Sequence, residues 1–456
     1  MALPPAYSSD SLDALYSEPD TSELPSYTRR PTPPSSTRSS SHVYKEFTTE
    51  LSRKGQPWAV LTVLADGALS ASLPTILEGS SVTGSVKLNL DKKDGIHSVI
   101  VYVKGSIITG SHSGEQFTFL ECSKTLWSQS TAINESTSLN NNNNNNGRSQ
   151  LRGDRLWPYA ISLPKEIVLP IASKSSPETF RLPQTFLERH ARASIQYSVN
   201  LLISRGKLRL DHRATIVFGY IPITKPSPPS FLRQLAYQEN SPLWGPDSDP
   251  DGWHTMEPVR VEGKIFNARM VNVKCTLSLA LPLCYTRGSA IPCFMTIETI
   301  DWQALDLLSS PRAIVMRLRR RIRASAETGK TVDSYGWKDA VDDSQLAAWW
   351  PSTEGAPDGS KPRREINGEL HLPIDTKPTS AMAHFRIEYS VVLFPFDTAG
   401  FDSEGTEPLC TVPIEVATSY AVGPRPRTYT PLGYKSYHAL VPSQQYFSFS
   451  APSDWM

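Results

Sequence analysis

Residues 194–203 read SIQYSVNLLI, with Ile195, Tyr197, Val199, Leu201 and Ile203 at every second position and Gln196, Ser198 and Asn200 between them. Successive side chains of an extended chain point to opposite sides, so this spacing gathers the apolar residues on one face only in a strand. A helix of 3.6 residues per turn would scatter them around its axis. The pattern returns in FRIEYSVVLF, where Phe385, Ile387, Tyr389, Val391 and Leu393 alternate with Arg386, Glu388 and Ser390. Tyr197 and Tyr389 align, and a Leu-Pro precedes each copy, at Leu182 and Leu372.

A second pair of segments repeats in the same order. GSSVTGSVKLNL from Gly79 lines up with GSAIPCFMTIET from Gly288, pairing Val82 with Ile291, Val86 with Met295 and Leu88 with Ile297. Short runs rich in Val, Ile, Thr and aromatics fill most of the chain between these points. They predict strands at 58–64, 82–90, 97–108, 116–127 and 157–164, then at 264–281 (two strands in one run), 291–299, 313–325, 368–374, 385–394 and 410–416. The fold class is all-β, with two β-sandwiches of one pattern in tandem.

Composition marks the boundaries. Residues 1–54 are rich in Ser, Thr and Pro and are expected to form a disordered tail, since they bury too little apolar area to offset chain entropy. The first sandwich is expected over 55–224, interrupted at 128–155 by an Asn-rich loop that contains Asn140 to Asn146. Six prolines between Thr224 and Asp251 mark a linker, 225–254. The second sandwich is expected over 255–420, with a loop insertion at 327–366 anchored by Trp349 and Trp350, and residues 421–456 read as a flexible C-terminal tail.

Formal charge is +1, from 46 Lys and Arg against 45 Asp and Glu, so no global field points to nucleic acid or to a membrane surface. Cys122, Cys275, Cys284, Cys293 and Cys410 are odd in number and lack metal-type or redox spacing, and read as buried thiols in a reducing compartment. No apolar run approaches bilayer length and no signal-peptide pattern is present, which predicts a soluble intracellular protein. The sequon at Asn134 is then expected to be silent.

Catalytic patterns fail one after another. GSHSG at Gly110 has histidine where a nucleophile elbow needs serine, and GKT at Gly329 has Ala324 where a phosphate loop needs its first glycine. The histidines are too scattered for a ligand cluster. Neither an enzyme nor a cofactor or metal is expected, and no residue is assigned a catalytic role. One charged run stands out. In AIVMRLRRRIRAS, a strand register puts Arg317, Arg319, Arg321 and Arg323 on one face and Ile314, Met316, Leu318 and Ile322 on the other, with Arg320 the exception. That face is either an anionic docking surface, for lipid head groups or acidic tails, or a solvated face that discourages edge pairing; charge runs more often only solvate.

The first residues supply a different signal. LPPAY carries Pro4, Pro5 and Tyr7, and LPSY carries Leu24, Pro25 and Tyr27. Proline rings hold such segments near polyproline II geometry, so docking in the aromatic groove of a WW domain costs little ordering entropy. A single PxY arises readily by chance in a proline-rich tail; a complete copy beside an imperfect one argues for function. TPLGY, with Pro431 and Tyr434, has the wrong spacing and is set aside.

WPYAISLP followed by LPQTFLERHARASIQYSVNLLI resembles the later half of an arrestin N-terminal domain. LPLCYTRGSAIPCFMTIET followed by AHFRIEYSVVLF resembles the arrestin C-terminal domain, and the likeness covers roughly Trp58 to Tyr420. Together with PPxY, the chain is similar to the arrestin-related trafficking adaptors, the alpha-arrestins. The resemblance implies two immunoglobulin-type sandwiches in a cytoplasmic adaptor working at the plasma membrane and endosomes. Its partners would be a WW-domain HECT-type ubiquitin ligase and the cytosolic tails of membrane transporters or receptors, which are ubiquitinated and endocytosed. Peripheral membrane contact is compatible with this, and nucleic acid is not a partner. The rival is a structural trafficking subunit of the same fold, like the retromer arrestin-like subunit, without ligase recruitment. Two departures stand out: the PY motifs precede the first domain, and both domains carry insertions. No residues match the phosphate-sensing charged core of visual and beta arrestins, so activation by phosphorylated cargo is not carried over.

Overall fold

The computed structural model describes residues 43–90, 95–109, 116–130, 151, 153–169, 177–188, 191, 193–205, 209–325, 337–352 and 362–434. The first sandwich is built from Tyr44–Arg53 (β1), Gln56–Asp66 (β2), Thr75–Leu77 (β3), Ser81–Leu90 (β4), Ile96–Ile108 (β5), Gln116–Ser128 (β6), Gly153–Ser162 (β7), Glu166–Leu169 (β8), Glu178–Arg181 (β9), Ser194–Arg205 (β10) and His212–Ile221 (β11). One sheet runs β1-β2-β4-β7 and the other β3-β11-β10-β5-β6, while β8 and β9 pair with each other. Leu61, Val63, Val86 and Leu88 of the first sheet and Val101, Val103, Val199 and Leu201 of the second are wholly buried in the core they share.

The second sandwich comprises Trp253–Thr255 (β12), Val259–Ile265 (β13), Arg269–Ala280 (β14), Cys284–Thr286 (β15), Ala290–Glu298 (β16), Met316–Ser325 (β17), Trp337–Leu346 (β18), Ala348–Pro351 (β19), Arg363–His371 (β20), Ser380–Ala381 (β21), Phe385–Leu393 (β22), Phe401–Ser403 (β23) and Cys410–Ala417 (β24). Its sheets run β19-β20-β16-β14-β13-β23, with β12 beside β14, and β15-β24-β22-β17-β18, with β21 beside β22.

The duplication legible in the sequence is a duplication of topology. β2-β4-β7 has its counterpart in β14-β16-β20, and β11-β10-β5-β6 in β24-β22-β17-β18. The short β3 joins β11 in parallel, as β15 joins β24. Gly79 and Gly288, aligned by sequence, turn the chain into β4 and β16 with φ of +84° and +80°, a conformation that strains any residue with a Cβ. Tyr197 and Tyr389 also do the same work. Each buried phenol donates to a backbone carbonyl at or shortly after its Leu-Pro, Tyr197 to Pro183 and Tyr389 to Lys377, both at 2.7 Å.

Four boundaries differ from the sequence-based expectation. The segment assigned to the tail up to residue 54 includes β1, paired with β2 from Tyr44 to Arg53; Phe47, Thr49 and Leu51 alternate as its half-buried face. The insertion at 327–366 contains β18 and β19 and the start of β20. The proline-rich linker holds a helix, Phe231–Glu239, whose buried Arg233 donates to the carbonyls of Leu281 (2.7 Å) and Gly252 (2.6 Å) and lies over the Trp253 ring. The segment read as a flexible C-terminal tail, described as far as Tyr434, packs on the second sandwich through Tyr429 and Thr430. The linker helix and the C-terminal segment find polar partners distant in sequence, which local composition does not encode.

No helix among the described residues is long and apolar enough to cross a membrane.

Candidate functional site

β17 carries the arginine run, flanked by β22 on one side and β18 on the other. The register opposes Arg319 to Asp343, Arg321 to Val341 and Arg323 to Asp339. Directly opposed residues of an antiparallel pair share a face, so the acidic side chains of β18 stand among the guanidinium groups. Arg319 donates to both oxygens of Asp343, at 2.7 and 2.8 Å. Asp339 accepts from Arg321 and from Arg323, the latter at 3.1 Å. Hydrogen bonds from Arg319 hold the Asp343 carboxyl below its ordinary pKa; burial alone would raise the Asp339 carboxyl, and Arg321 and Arg323 outweigh it and lower it. Arg317 reaches the carbonyl of Ser344. The sequence-predicted face exists, with Arg317, Arg319, Arg321 and Arg323 on it, but it is an ion-paired ladder rather than a bare cationic surface.

That pairing yields a direct expectation. Changing Asp339 and Asp343 to Asn frees Arg319, Arg321 and Arg323, each contributing about 1 kcal/mol near an anionic leaflet. The double variant is expected to sediment with phosphatidylserine vesicles at low salt while the wild type stays in the supernatant. Equal sedimentation of the two proteins would show that the carboxylates do not mask the arginines.

Arg320, the residue out of step in the run, belongs to a different structure. It points to the other face of β17, where its guanidinium meets the Glu188 carboxylate of the first sandwich at 2.8 Å, between β9 and β10. Burial opposes the charged form of Arg320, and Glu188, Tyr389 and Asp342 outweigh burial, so its pKa is raised. Lys377 shares this environment; burial lowers its pKa, with Glu188 acting in opposition. Around this charged centre the seam between the sandwiches is aromatic. Phe186 packs on Phe385 with ring centroids 5.0 Å apart, and Phe117 on His384 at 4.7 Å. Burial lowers the His384 pKa and so favours the neutral ring there.

The chain crosses between sandwiches at residues 222–224, and this crossing is fastened on both sides. Glu78 accepts from the Ile223 N–H at 2.6 Å while Arg181 binds both Glu78 and the Ile223 carbonyl. Thr224 and Thr418 exchange backbone-to-hydroxyl hydrogen bonds at 2.9 and 3.0 Å. Sequence reasoning does not find Glu188, Lys377, Glu78 or Thr418. The one local signal is Arg320 itself, a charge on the apolar side of an otherwise regular alternation.

Burial raises the pKa of all five thiols, that of Cys275 to about 12 and that of Cys284 to about 11, which keeps them in the weakly nucleophilic protonated form. Among the described residues no group of three or more His, Cys, Asp or Glu side chains is placed to hold a metal ion. Pro4, Pro5, Tyr7, Leu24, Pro25 and Tyr27 lie outside the described residues, as do Gly110 and Gly329. Compared with known proteins, the chain matches no protein-family model and no curated protein sequence.

Proposed function

We propose that the chain is an arrestin-type adaptor that brings a WW-domain HECT ubiquitin ligase to the cytosolic tails of membrane transporters or receptors, marking them for endocytosis. The observation that carries this reading is the complete PPxY segment, Pro4, Pro5 and Tyr7, on a chain whose remainder is one sandwich topology used twice. The tandem sandwiches offer broad sheet surfaces for a cargo tail, the motif holds the ligase, and ligation is accelerated by proximity rather than by groups of this chain. Work at the plasma membrane and endosomes follows from that role.

Deletion of residues 1–30 tests it. Affinity capture from cells is expected to lose the HECT ligase and keep the cargo. Recovery of an unchanged set of partners after the deletion would instead favour a structural trafficking subunit of the same fold.

A further inference from the structure

In β20, Ile366, Gly368 and Leu370 are buried toward the core, so Glu369 belongs to the opposite, outer face of its sheet. A carboxylate in that position ordinarily meets water, yet Glu369 is 1% exposed. A strap formed by the last described residues covers it. The Tyr429 N–H donates to Oε1 of Glu369 at 2.7 Å, and the N–H and hydroxyl of Thr430 donate to Oε2 at 3.0 and 2.5 Å. His371 Nε2 lies 3.2 Å from the same hydroxyl. On its other flank the strap grips the linker helix: Arg427 bonds the Tyr237 carbonyl and the Asn240 side chain, and the Tyr429 ring stacks on Tyr237.

Three donors from one dipeptide thus converge on a desolvated carboxylate. Charge-assisted hydrogen bonds are the strong ones, and a buried carboxylate left without donors is costly, so the strap is tightly coupled to Glu369. One of the three donors, the Thr430 hydroxyl, serves only while Oγ1 carries a proton to give. Thr430 is followed by Pro431, the residue pair selected by proline-directed kinases, within the TPLGY segment whose spacing does not suit a WW domain.

We propose that Thr430 is a phosphorylation site for a proline-directed serine/threonine kinase, and that its phosphate unlatches the strap from Glu369. The γ-phosphoryl group of ATP passes to Oγ1: the new P–Oγ1 bond forms as the bond to ADP breaks, and the hydroxyl proton leaves through the kinase base. Donor becomes acceptor, and a group of charge about −2 then faces a buried carboxylate. Because Thr430 is 8% exposed, the kinase acts on the transiently opened strap, and the modified strap does not reclose. Release bares Glu369 and removes one wall, Tyr429 and Pro431, from a cleft of about 280 Å³ whose other walls include Trp253, Trp350 and Asn367. This inference is independent of ligase recruitment.

The test uses the full chain with ATP and a proline-directed kinase, reading the modified residue by fragment mass spectrometry and the strap by hydrogen exchange at the Tyr429 and Thr430 amides. In the unmodified protein both amides are expected to be protected and the Arg427–Thr428 bond to resist trypsin; Arg425 precedes Pro426 and is a poor tryptic site in any state. After phosphorylation, protection is lost and the bond is cut. Glu369→Gln, of equal volume but a weaker acceptor, is expected to speed exchange at both amides by about tenfold or more and to be phosphorylated faster. Thr430→Val keeps the shape and abolishes the kinase-dependent change. Absence of phosphate from Thr430 in both wild type and Glu369→Gln overturns the modification site; phosphate at Thr430 with protection intact overturns the latch. The wild-type comparison before and after kinase decides the latter without any variant.

Discussion

Tyr7→Ala is expected to weaken binding to a pair of linked WW domains more than Tyr27→Ala does, and the double variant to lose it. On the proposed reading LPPAY would present both prolines to the aromatic groove with Tyr7 in the adjoining pocket, whereas LPSY, with Leu24 in the first proline position, would be the weaker ligand. A coil of the length that separates Tyr7 from Tyr27 spans roughly 25 Å, comparable to a small domain, so two WW modules of one ligase can be held together. The second engagement is then intramolecular, and losing both motifs removes the avidity as well as the contacts. Titration calorimetry with the three variants measures this. Near-wild-type binding by all of them would remove the ligase-adaptor proposal.

Phe385→Ala is expected to cost about 3–5 kcal/mol, the usual range for deleting a buried aromatic ring. The ring is fully buried and packs on Phe186, so the deletion opens a cavity where the two sandwiches meet. That is a large part of the roughly 5–15 kcal/mol that typically holds a domain folded, and urea denaturation will show it as a lower midpoint. Phe186→Ala opens the same cavity from the other side, so the two losses are expected to be less than additive in a double-mutant cycle. Additive losses, or single losses below about 1 kcal/mol, would mean that the seam does not couple the sandwiches.

Much of the fold is legible because a half-buried strand is written at period two. Ile195 to Ile203 and Phe385 to Leu393 are buried as their alternation requires, whereas the run at 264–281 is in the main one strand, β14, with only the last two residues of β13 at its start. β1 escapes a sequence reading because its Ser- and Thr-rich flank hides a weak alternation of Phe47, Thr49 and Leu51, as befits an edge strand packed on one side only. β18 escapes it because KDAVDDSQL has no apolar period. Its acidic residues answer the arginines of β17, and complementarity between segments is visible only when their register is known.

The sequence by itself determined the all-β class, the duplication, the turn glycines Gly79 and Gly288 and the paired tyrosines, since each depends on local spacing or on one residue's own conformational freedom. Only the tertiary structure decided that Arg319, Arg321 and Arg323 are ion-paired to Asp343 and Asp339, that Arg320 joins the sandwiches through Glu188, and that Glu369 is sealed beneath Thr430. Those outcomes rest on charges brought within a few ångströms across long stretches of chain. Electrostatic and hydrogen-bond energies fall away with distance and angle in space, and position along the sequence carries neither.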